Sequence, residues 1–234
     1  MGGRLLLLLS VLAANLQRLR AASVFHSVGT KCGTDKVTGH AYHHTYDQVM
    51  HHSRHKPVKL LEIGLGCTMN TGSASICLWQ TYFSSVDLWL MDIDTQCAMK
   101  VQNTTKNKII IGDQGSEADL RRAIELSGGA FDFIVDDGSH SPAHQLESFR
   151  VLFEHALKPG GTYFMEDIES TSRTLCSSPF PSGNSRDKVV FWADQFLKFP
   201  RVTEVDLPPG LMSVTVQREM AVFHKCPGDA ERCP

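Results

Sequence analysis

The residues with most chemical potential fall in two short runs, Asp136-Asp137-Gly138-Ser139-His140 and Glu166-Asp167. Each follows an apolar segment of strand character, Phe131 to Val135 and Gly161 to Met165. That order places the polar groups at the carboxyl edge of a sheet, where open α/β folds bind ligands. Asp137, Glu166 and Asp167 would form an all-oxygen anionic set suited to a hard divalent cation, magnesium first, with calcium or manganese as substitutes. Such an ion can chelate two neighbouring oxygens of an acceptor and lower the pKa of one hydroxyl. His140, with an unperturbed pKa of about 6.5, is the base expected to remove that proton. Two geometric conditions follow. Adjacent strand residues point oppositely, so Glu166 and Asp167 converge on one ion only if the backbone bends there. Gly138 permits a sharp turn, and a helical turn there would bring Asp137 and His140 to one side. A structural reading competes, in which Asp136 or Asp137 caps the helix starting near Pro142 and Glu166 and Asp167 are solvated edge residues. Asp136 is expected on the cofactor side of the site or behind its ligands.

A second group surrounds Leu60-Leu61-Glu62-Ile63-Gly64-Leu65-Gly66, an apolar strand running into a glycine turn that lets a ligand approach the backbone closely. A dinucleotide loop would need glycine at position 69, where Met69 stands, and the Glu62 carboxylate would repel a pyrophosphate. The same carboxylate favours an ammonium or sulfonium group by roughly a few kcal/mol at an intermediate dielectric. This points to S-adenosylmethionine, with Glu62, Gly64 and Gly66 as cofactor contacts. The next strand ends in Asp92-Ile93-Asp94, and Asp92 is expected to accept from both ribose hydroxyls; Asp94 is the alternative, and helix capping is the competing role for either. Asp113 and Gln114, after Gly112, offer an acid and an amide to the adenine end, although turn chemistry explains them equally well.

These groups need a scaffold that brings strand ends together. Strand-like runs at Val58 to Ile63, Ser85 to Met91, Lys108 to Ile111, Phe131 to Val135 and Gly161 to Met165 alternate with helix-like stretches at Gly72 to Tyr82, Thr95 to Val101, Glu117 to Leu126 and Pro142 to Leu157. The alternation predicts an α/β fold with a doubly wound, mostly parallel sheet. Met212 to Gln217 and Met220 to His224 add an antiparallel C-terminal hairpin after the Pro208-Pro209-Gly210 turn, for seven strands in all. Ser170 to Arg186 reads as a loop overhanging the ligand crevice. A net charge of -2 over 234 residues gives no basic surface for nucleic acid, which favours a small-molecule acceptor.

Leu5 to Leu16 is uncharged and follows Arg4, but is too short to span a bilayer, so it reads as a signal-peptide core with cleavage near Ser23. An organellar leader or a buried N-terminal helix is the alternative. Asn103-Thr104-Thr105 is a glycosylation acceptor if the chain enters the secretory pathway. The seven cysteines contain no CxxC; Cys226 and Cys233 are close enough to bridge, while Cys67, Cys77 and Cys97 read as small buried hydrophobes. His40, His43 and His44 would share a helical face, read as solvated rather than zinc-binding, with His40 and Tyr42 near the acceptor entrance as another possibility. His144 and His155 read as surface or packing residues.

With these pieces assembled, the chain resembles class I S-adenosylmethionine-dependent methyltransferases, and within them the metal-dependent branch of macrocin-type sugar O-methyltransferases and cephalosporin-hydroxylase-like relatives. The matching pieces are Gly33-Thr34-Asp35-Lys36, LLEIGLG at 60–66, GDQ at 112–114, FDFIVDDGSH at 131–140 and LKPGGTYFMEDI at 157–168. The resemblance implies a Rossmann-like methyltransferase domain over residues 24–226, between a leader (1–23) and a short tail (227–234). It implies cofactor contact from Glu62, Gly64, Gly66, Asp92, Asp113 and Gln114, magnesium at Asp137, Glu166 and Asp167, and residues 33–36 closing over the site. The expected activity is O-methylation of a hydroxylated small molecule such as a sugar, by a chain without a stable membrane span that can form a homo-oligomer. A cofactor-binding module without turnover and a metal-dependent oxidative enzyme on the same fold are the alternatives. The Cys67 to Gly72 loop departs from the sugar enzymes, so the resemblance does not carry acceptor identity.

Overall fold

The computed structural model describes residues 23–66, 74–104, 107–168, 208–217 and 219–228. Seven strands form one sheet: β1 (Pro57–Ile63), β2 (Ser85–Asp92), β3 (Lys108–Ile111), β4 (Phe131–Asp136), β5 (Leu157–Glu166), β6 (Leu211–Val216) and β7 (Met220–Lys225). Their spatial order is β3-β2-β1-β4-β5-β7-β6. The first five are parallel, and β7 runs antiparallel to both β5 and β6. This is the doubly wound sheet with a terminal hairpin that the apolar runs predict. Strand ends differ by at most one residue from those expected except at one place: β5 begins at Leu157 rather than Gly161, because Leu157 already pairs with Phe131 and the register slips before Phe133 meets Thr162. The chain order reverses between β1 and β4, which opens a crevice at their carboxyl ends.

The helices are α1 (Val24–Cys32), α2 (Asp35–Thr38), α3 (His43–Met50), α4 (Ala74–Tyr82), α5 (Thr95–Thr104), α6 (Glu117–Ser127) and α7 (Pro142–His155). Local chemistry sets several ends. Ser116 accepts the Asp119 N–H at the start of α6, Glu117 and Asp119 lie favourably at its positive end, and Gly128 stops it. Pro142 opens α7, where its fixed φ suits the first turn. Gly33, at φ 72°, ends α1 and turns the chain at once into α2, whose N-cap is Thr34. That tight turn is what carries Lys36 inward.

Alternate strand residues feed two apolar layers. Leu61, Ile63, Ile134, Tyr163 and Met165 pack with Leu120, Phe149 and Phe153 from α6 and α7. Leu60, Leu90, Phe133, Val135 and Phe164 pack on the other face with Phe25, Tyr46 and Trp79 from α1, α3 and α4. Both faces of the central strands are therefore covered, which explains why they read as continuous apolar runs. Among the described residues no helix is long and apolar enough to cross a membrane; the Leu5 to Leu16 leader lies outside them.

The cysteine and histidine expectations need correction. Cys32 and Cys77 form a disulfide that ties the end of α1 to α4, with Cα atoms 5.6 Å apart. Cys97 and Cys226 are each disulfide-bonded as well, so neither Cys77 nor Cys97 is the simple buried hydrophobe expected, while Cys67 and Cys233 lie outside the described residues. Residues separated by 45 positions become neighbours only through the fold, which spacing does not reveal. His40 lies between α2 and α3 and bonds Glu219, so it shares no helical face with His43 and His44. Ser170 to Arg186 lies outside the described residues.

Candidate active site

A cavity of ≈ 660 Å³ opens where the carboxyl ends of β1 to β5 converge, and its lining runs from Gly64 and Asp92 to His140 and Asp167. On one side stands the turn after β1. Gly64 has φ 95°, and any Cβ there would collide with the carbonyl oxygen of Asp137. Only glycine lets this loop lie against the end of β4. The Gly64 N–H bonds the Met91 carbonyl at 2.8 Å, and the Asp137 N–H bonds the Ile63 carbonyl at 3.0 Å, so the turn is fixed on both flanks.

Both acids at the end of β2 line the cavity, and they differ in the backbone groups they hold. Asp94 Oδ1 accepts the Gln96 and Cys97 N–H groups at 2.9 and 3.0 Å and so caps α5. Asp92 lines the cavity, accepts the Leu65 N–H at 2.8 Å through Oδ2 and the Asp94 N–H at 2.8 Å through Oδ1, and thereby holds the glycine loop. Each of its oxygens keeps a further lone pair for a ligand hydroxyl. After β3, Asp113 Oδ1 closes a turn onto the Gly115 N–H. Gln114 lines the cavity but spends its amide on the protein, donating to Asp136 at 2.9 Å and accepting the Ser139 N–H at 2.6 Å. Asp136 is fully buried and accepts from Gln114, Ser148 and Tyr163; burial lifts its carboxyl above the usual range against those three bonds. It stands behind Gln114 rather than on the cavity wall.

Glu62 also lies beneath the wall. Its Oε2 accepts from Trp79 at 2.9 Å, and its Oε1 is 3.5 Å from the Lys36 ammonium. Oε1 is buried and has no hydrogen-bond partner among the described residues. Burial raises its pKa, with Lys36 opposing the rise.

The acidic half depends on distant side chains. Lys36, 1% exposed, reaches Asp137 Oδ2 at 2.6 Å and Glu166 Oε2 at 2.7 Å. Burial alone would lower its pKa, but Asp137, Glu166 and Glu62 outweigh it and hold the ammonium protonated, well above the ordinary lysine range. The second oxygen of Glu166 accepts from Tyr46. Tyr42 donates to Asp167 Oδ1 at 2.6 Å and accepts the Asp167 N–H at 3.3 Å. Asp167 has φ 53°, which is the backbone bend that convergence requires. His140 also has a positive φ, 54°, so it meets Asp137 through a left-handed turn and not through the helical turn expected. Its Nε2 lies 3.5 Å from Asp167 Oδ2 and 4.0 Å from Asp137 Oδ1, while its Nδ1 is buried without a partner among the described residues.

Asp137, His140 and Asp167 thus present three ligand atoms within 4.8 Å of one another. Glu166, expected among the ligands, has both oxygens engaged by Lys36 and Tyr46 and is not part of that trio. Reading along the sequence missed three contributors. Lys36 entered only through resemblance, and Tyr46 carries no motif. His144 read as a surface residue, yet it lines the cavity and bonds Ser139 Oγ at 3.1 Å. His155, paired at 3.9 Å with Glu154, is a surface residue as expected.

The strand order, the glycine turn beside Asp92 and the acidic edge of β4 and β5 together define the class I S-adenosylmethionine-dependent methyltransferase fold. No family model matches the chain. It is similar to curated sugar O-methyltransferases: 35% identical over 117 residues to the 8-demethyl-8-(2-methoxy-alpha-L-rhamnosyl)-tetracenomycin-C 3'-O-methyltransferase of Streptomyces olivaceus, covering 49% of this chain and 29% of that one. It is 33% identical over 125 residues to the demethylmacrocin O-methyltransferase of Streptomyces fradiae, covering 53% and 30%. The chain therefore matches less than a third of the length of these two relatives. Among solved structures it superposes on the MycE methyltransferase of the mycinamycin pathway, in complex with Mg and SAH, with TM-score 0.73 and 25% identity over 89% of this chain and 54% of that one.

Proposed function

We propose that the chain is an S-adenosylmethionine-dependent, magnesium-assisted O-methyltransferase acting on a hydroxylated small molecule, a sugar or glycosylated metabolite. The observation carrying this reading is the meeting of Asp137 Oδ1, Asp167 Oδ2 and His140 Nε2 on the wall of a cavity that also contains the Gly64–Gly66 turn and Asp92. The residues fit both groups the reading calls for. Asp92, on the cavity wall, suits ribose hydroxyls, while Glu62 lies beneath the wall with Oε1 3.5 Å from the Lys36 ammonium and adds negative charge behind the glycine turn. Magnesium takes oxygen ligands and needs only one or two carboxylates beside water and substrate, so Asp137 and Asp167 would hold it. Glu166 would join them only by releasing Lys36; with both oxygens engaged, we assign it to anchoring that lysine. When bound, the cofactor supplies an activated methyl group and the cation lowers the pKa of the acceptor hydroxyl.

His140 then takes the hydroxyl proton at Nε2, and the flanking Asp137 and Asp167 carboxylates stabilise the resulting imidazolium. The methyl group that the bound cofactor would supply is the destination of the acceptor oxygen so deprotonated, and His140 releases its proton to solvent. The glycine turn, fixed on both flanks, sets the approach, and orientation supplies much of the acceleration. The test is incubation of the purified chain with isotope-labelled S-adenosylmethionine and a panel of free and glycosylated hydroxylated metabolites, with magnesium or with a chelator. Label transfer that requires magnesium supports the reading. Transfer indifferent to chelation removes the cation, and oxidised rather than methylated products remove the reaction class.

We further propose that the chain works in the secretory pathway or outside the cell, as a domain of residues 24–226 following a leader. The Cys32–Cys77 disulfide supports an oxidising compartment, and Asn103 of the glycosylation triplet is exposed on α5. Mass spectrometry of the secreted chain, read for the leader and for a glycan on Asn103, checks this.

A further inference from the structure

We propose that Lys36 and Tyr42 are positioning residues that decide which oxygen of each carboxylate faces the cation; the proposal rests on the cation reading above. A carboxylate has two equivalent oxygens, and a site for a small hard ion needs one of them aimed and held. Here each acid is held by one oxygen and free at the other. Asp137 gives Oδ2 to the Lys36 ammonium at 2.6 Å, leaving Oδ1 toward His140. Asp167 gives Oδ1 to the Tyr42 hydroxyl at 2.6 Å, leaving Oδ2 toward the same imidazole nitrogen. The two free oxygens lie 4.0 and 3.5 Å from Nε2, and the three residues offer ligand atoms within 4.8 Å of one another. Neither donor faces solvent: Lys36 is 1% and Tyr42 4% exposed.

Each donor is itself fixed. Lys36 bonds Glu166 Oε2 at 2.7 Å, and Tyr46 closes the other oxygen of that acid, so the ammonium cannot swing without breaking a buried pair. Tyr42 stacks on His40 with ring centroids 4.8 Å apart, and His40 bonds Glu219 at 2.8 Å. Tyr42 also receives the N–H of Asp167 at 3.3 Å, and Asp167 sits at φ 53°, where a non-glycine residue needs outside support. One hydroxyl thus holds both the backbone bend and the side chain that the bend delivers. The opposing physical idea is that the Lys36 ammonium repels a divalent ion or occupies its place. Three acids, Asp137, Glu166 and Glu62, surround that one ammonium within 3.5 Å, so its charge is shared among several oxygens rather than directed at the open side of the site.

The experiment is a titration of the full chain with Mn2+, followed by electron paramagnetic resonance, with S-adenosylhomocysteine calorimetry on the same samples. Tyr42→Phe removes only the hydroxyl. Lys36→Gln combined with Glu166→Gln removes the ammonium together with the acid that anchors it, so no buried carboxyl is left without its partner. Each variant is expected to weaken Mn2+ binding on the order of tenfold, the lower end for lost outer partners of metal ligands, with S-adenosylhomocysteine affinity unchanged. Wild-type Mn2+ affinity in a Tyr42→Phe chain that still binds S-adenosylhomocysteine would overturn the proposal. So would tighter Mn2+ binding in the Lys36→Gln/Glu166→Gln chain, which would make the ammonium a competitor. Absence of Mn2+ binding to the wild-type chain, with S-adenosylhomocysteine bound, would overturn the cation reading along with this one.

Discussion

The two halves of the cavity are held by different means. On the side of β2 and β3, each acid finds its partners close by in the chain: Asp94 caps the helix that follows it, Asp113 closes a turn two residues on, and Asp92 reaches the turn after the neighbouring strand. On the side of β4 and β5, the partners come from 101 to 130 positions away, where Lys36 meets Asp137 and Glu166, and Tyr42 meets Asp167. The first half uses backbone N–H groups, which any sequence with the right turns provides. The second uses particular side chains from the segment before β1. Cofactor binding should therefore tolerate changes in that N-terminal segment better than cation binding does, and each half should fail separately.

The largest expected effects test that separation. His140→Ala should lower kcat by on the order of 10² to 10⁴, the usual span for a lost general base, and Asp137→Ala should lower it at least as far. Both should retain S-adenosylhomocysteine affinity in calorimetry. Parallel loss of affinity would show that the halves are not separable. Next in size is the disulfide, which links the helix before Lys36 to the helix carrying Trp79 and so spans the two halves. Cys32→Ser with Cys77→Ser should reduce stability by about 2–4 kcal/mol in denaturant melts. An unchanged midpoint would remove the disulfide from the account of how the halves are joined.

Asp92→Ala should weaken S-adenosylhomocysteine by about 1.5–3 kcal/mol, the worth of hydrogen bonds to a charged group, with Mn2+ affinity unmoved. A shared loss would again join the halves. The smallest effect lies away from both. His224 is half-buried against Thr162, and burial lowers its pKa, so the folded chain resists protonating it. Its folded pKa is depressed, so stability is fully present above the unfolded value of about 6.5 and declines as pH falls below it. His224→Gln should flatten that acid slope by a fraction of a kcal/mol, read from melts between neutral and mildly acid pH; an unaltered slope would place the acid sensitivity elsewhere, and not in Glu62, Asp136 or Glu166, whose raised pKa values act in the opposite direction.

The same contrast explains what could be read from the sequence. The strands were legible because both sheet faces are covered and leave long apolar runs, and the glycine turn because Gly64 and Gly66 stand directly after one. The division of work between Asp92 and Asp94 was legible as a pair of alternatives, since helix capping is local chemistry. The need for a bend at Asp167 followed from strand alternation alone, and the structure supplies it at φ 53°. Lys36 was placed at the site only through the resemblance and Tyr42 only as a possible neighbour of the acceptor entrance, and Tyr46 was not legible at all, because nothing near them in the chain marks the acids they hold. Glu62 and Glu166 were read as facing ligands, whereas a buried lysine draws both beneath the cavity wall. The Cys32–Cys77 pairing was hidden for the same reason.

The account stands most directly on one titration: S-adenosylhomocysteine into the folded full chain in the presence of magnesium, run beside Asp92→Ala and Asp137→Ala. Saturable binding that weakens in Asp92→Ala and persists in Asp137→Ala is the expected result. No binding to the folded wild-type chain, or an equal loss in both variants, would contradict it.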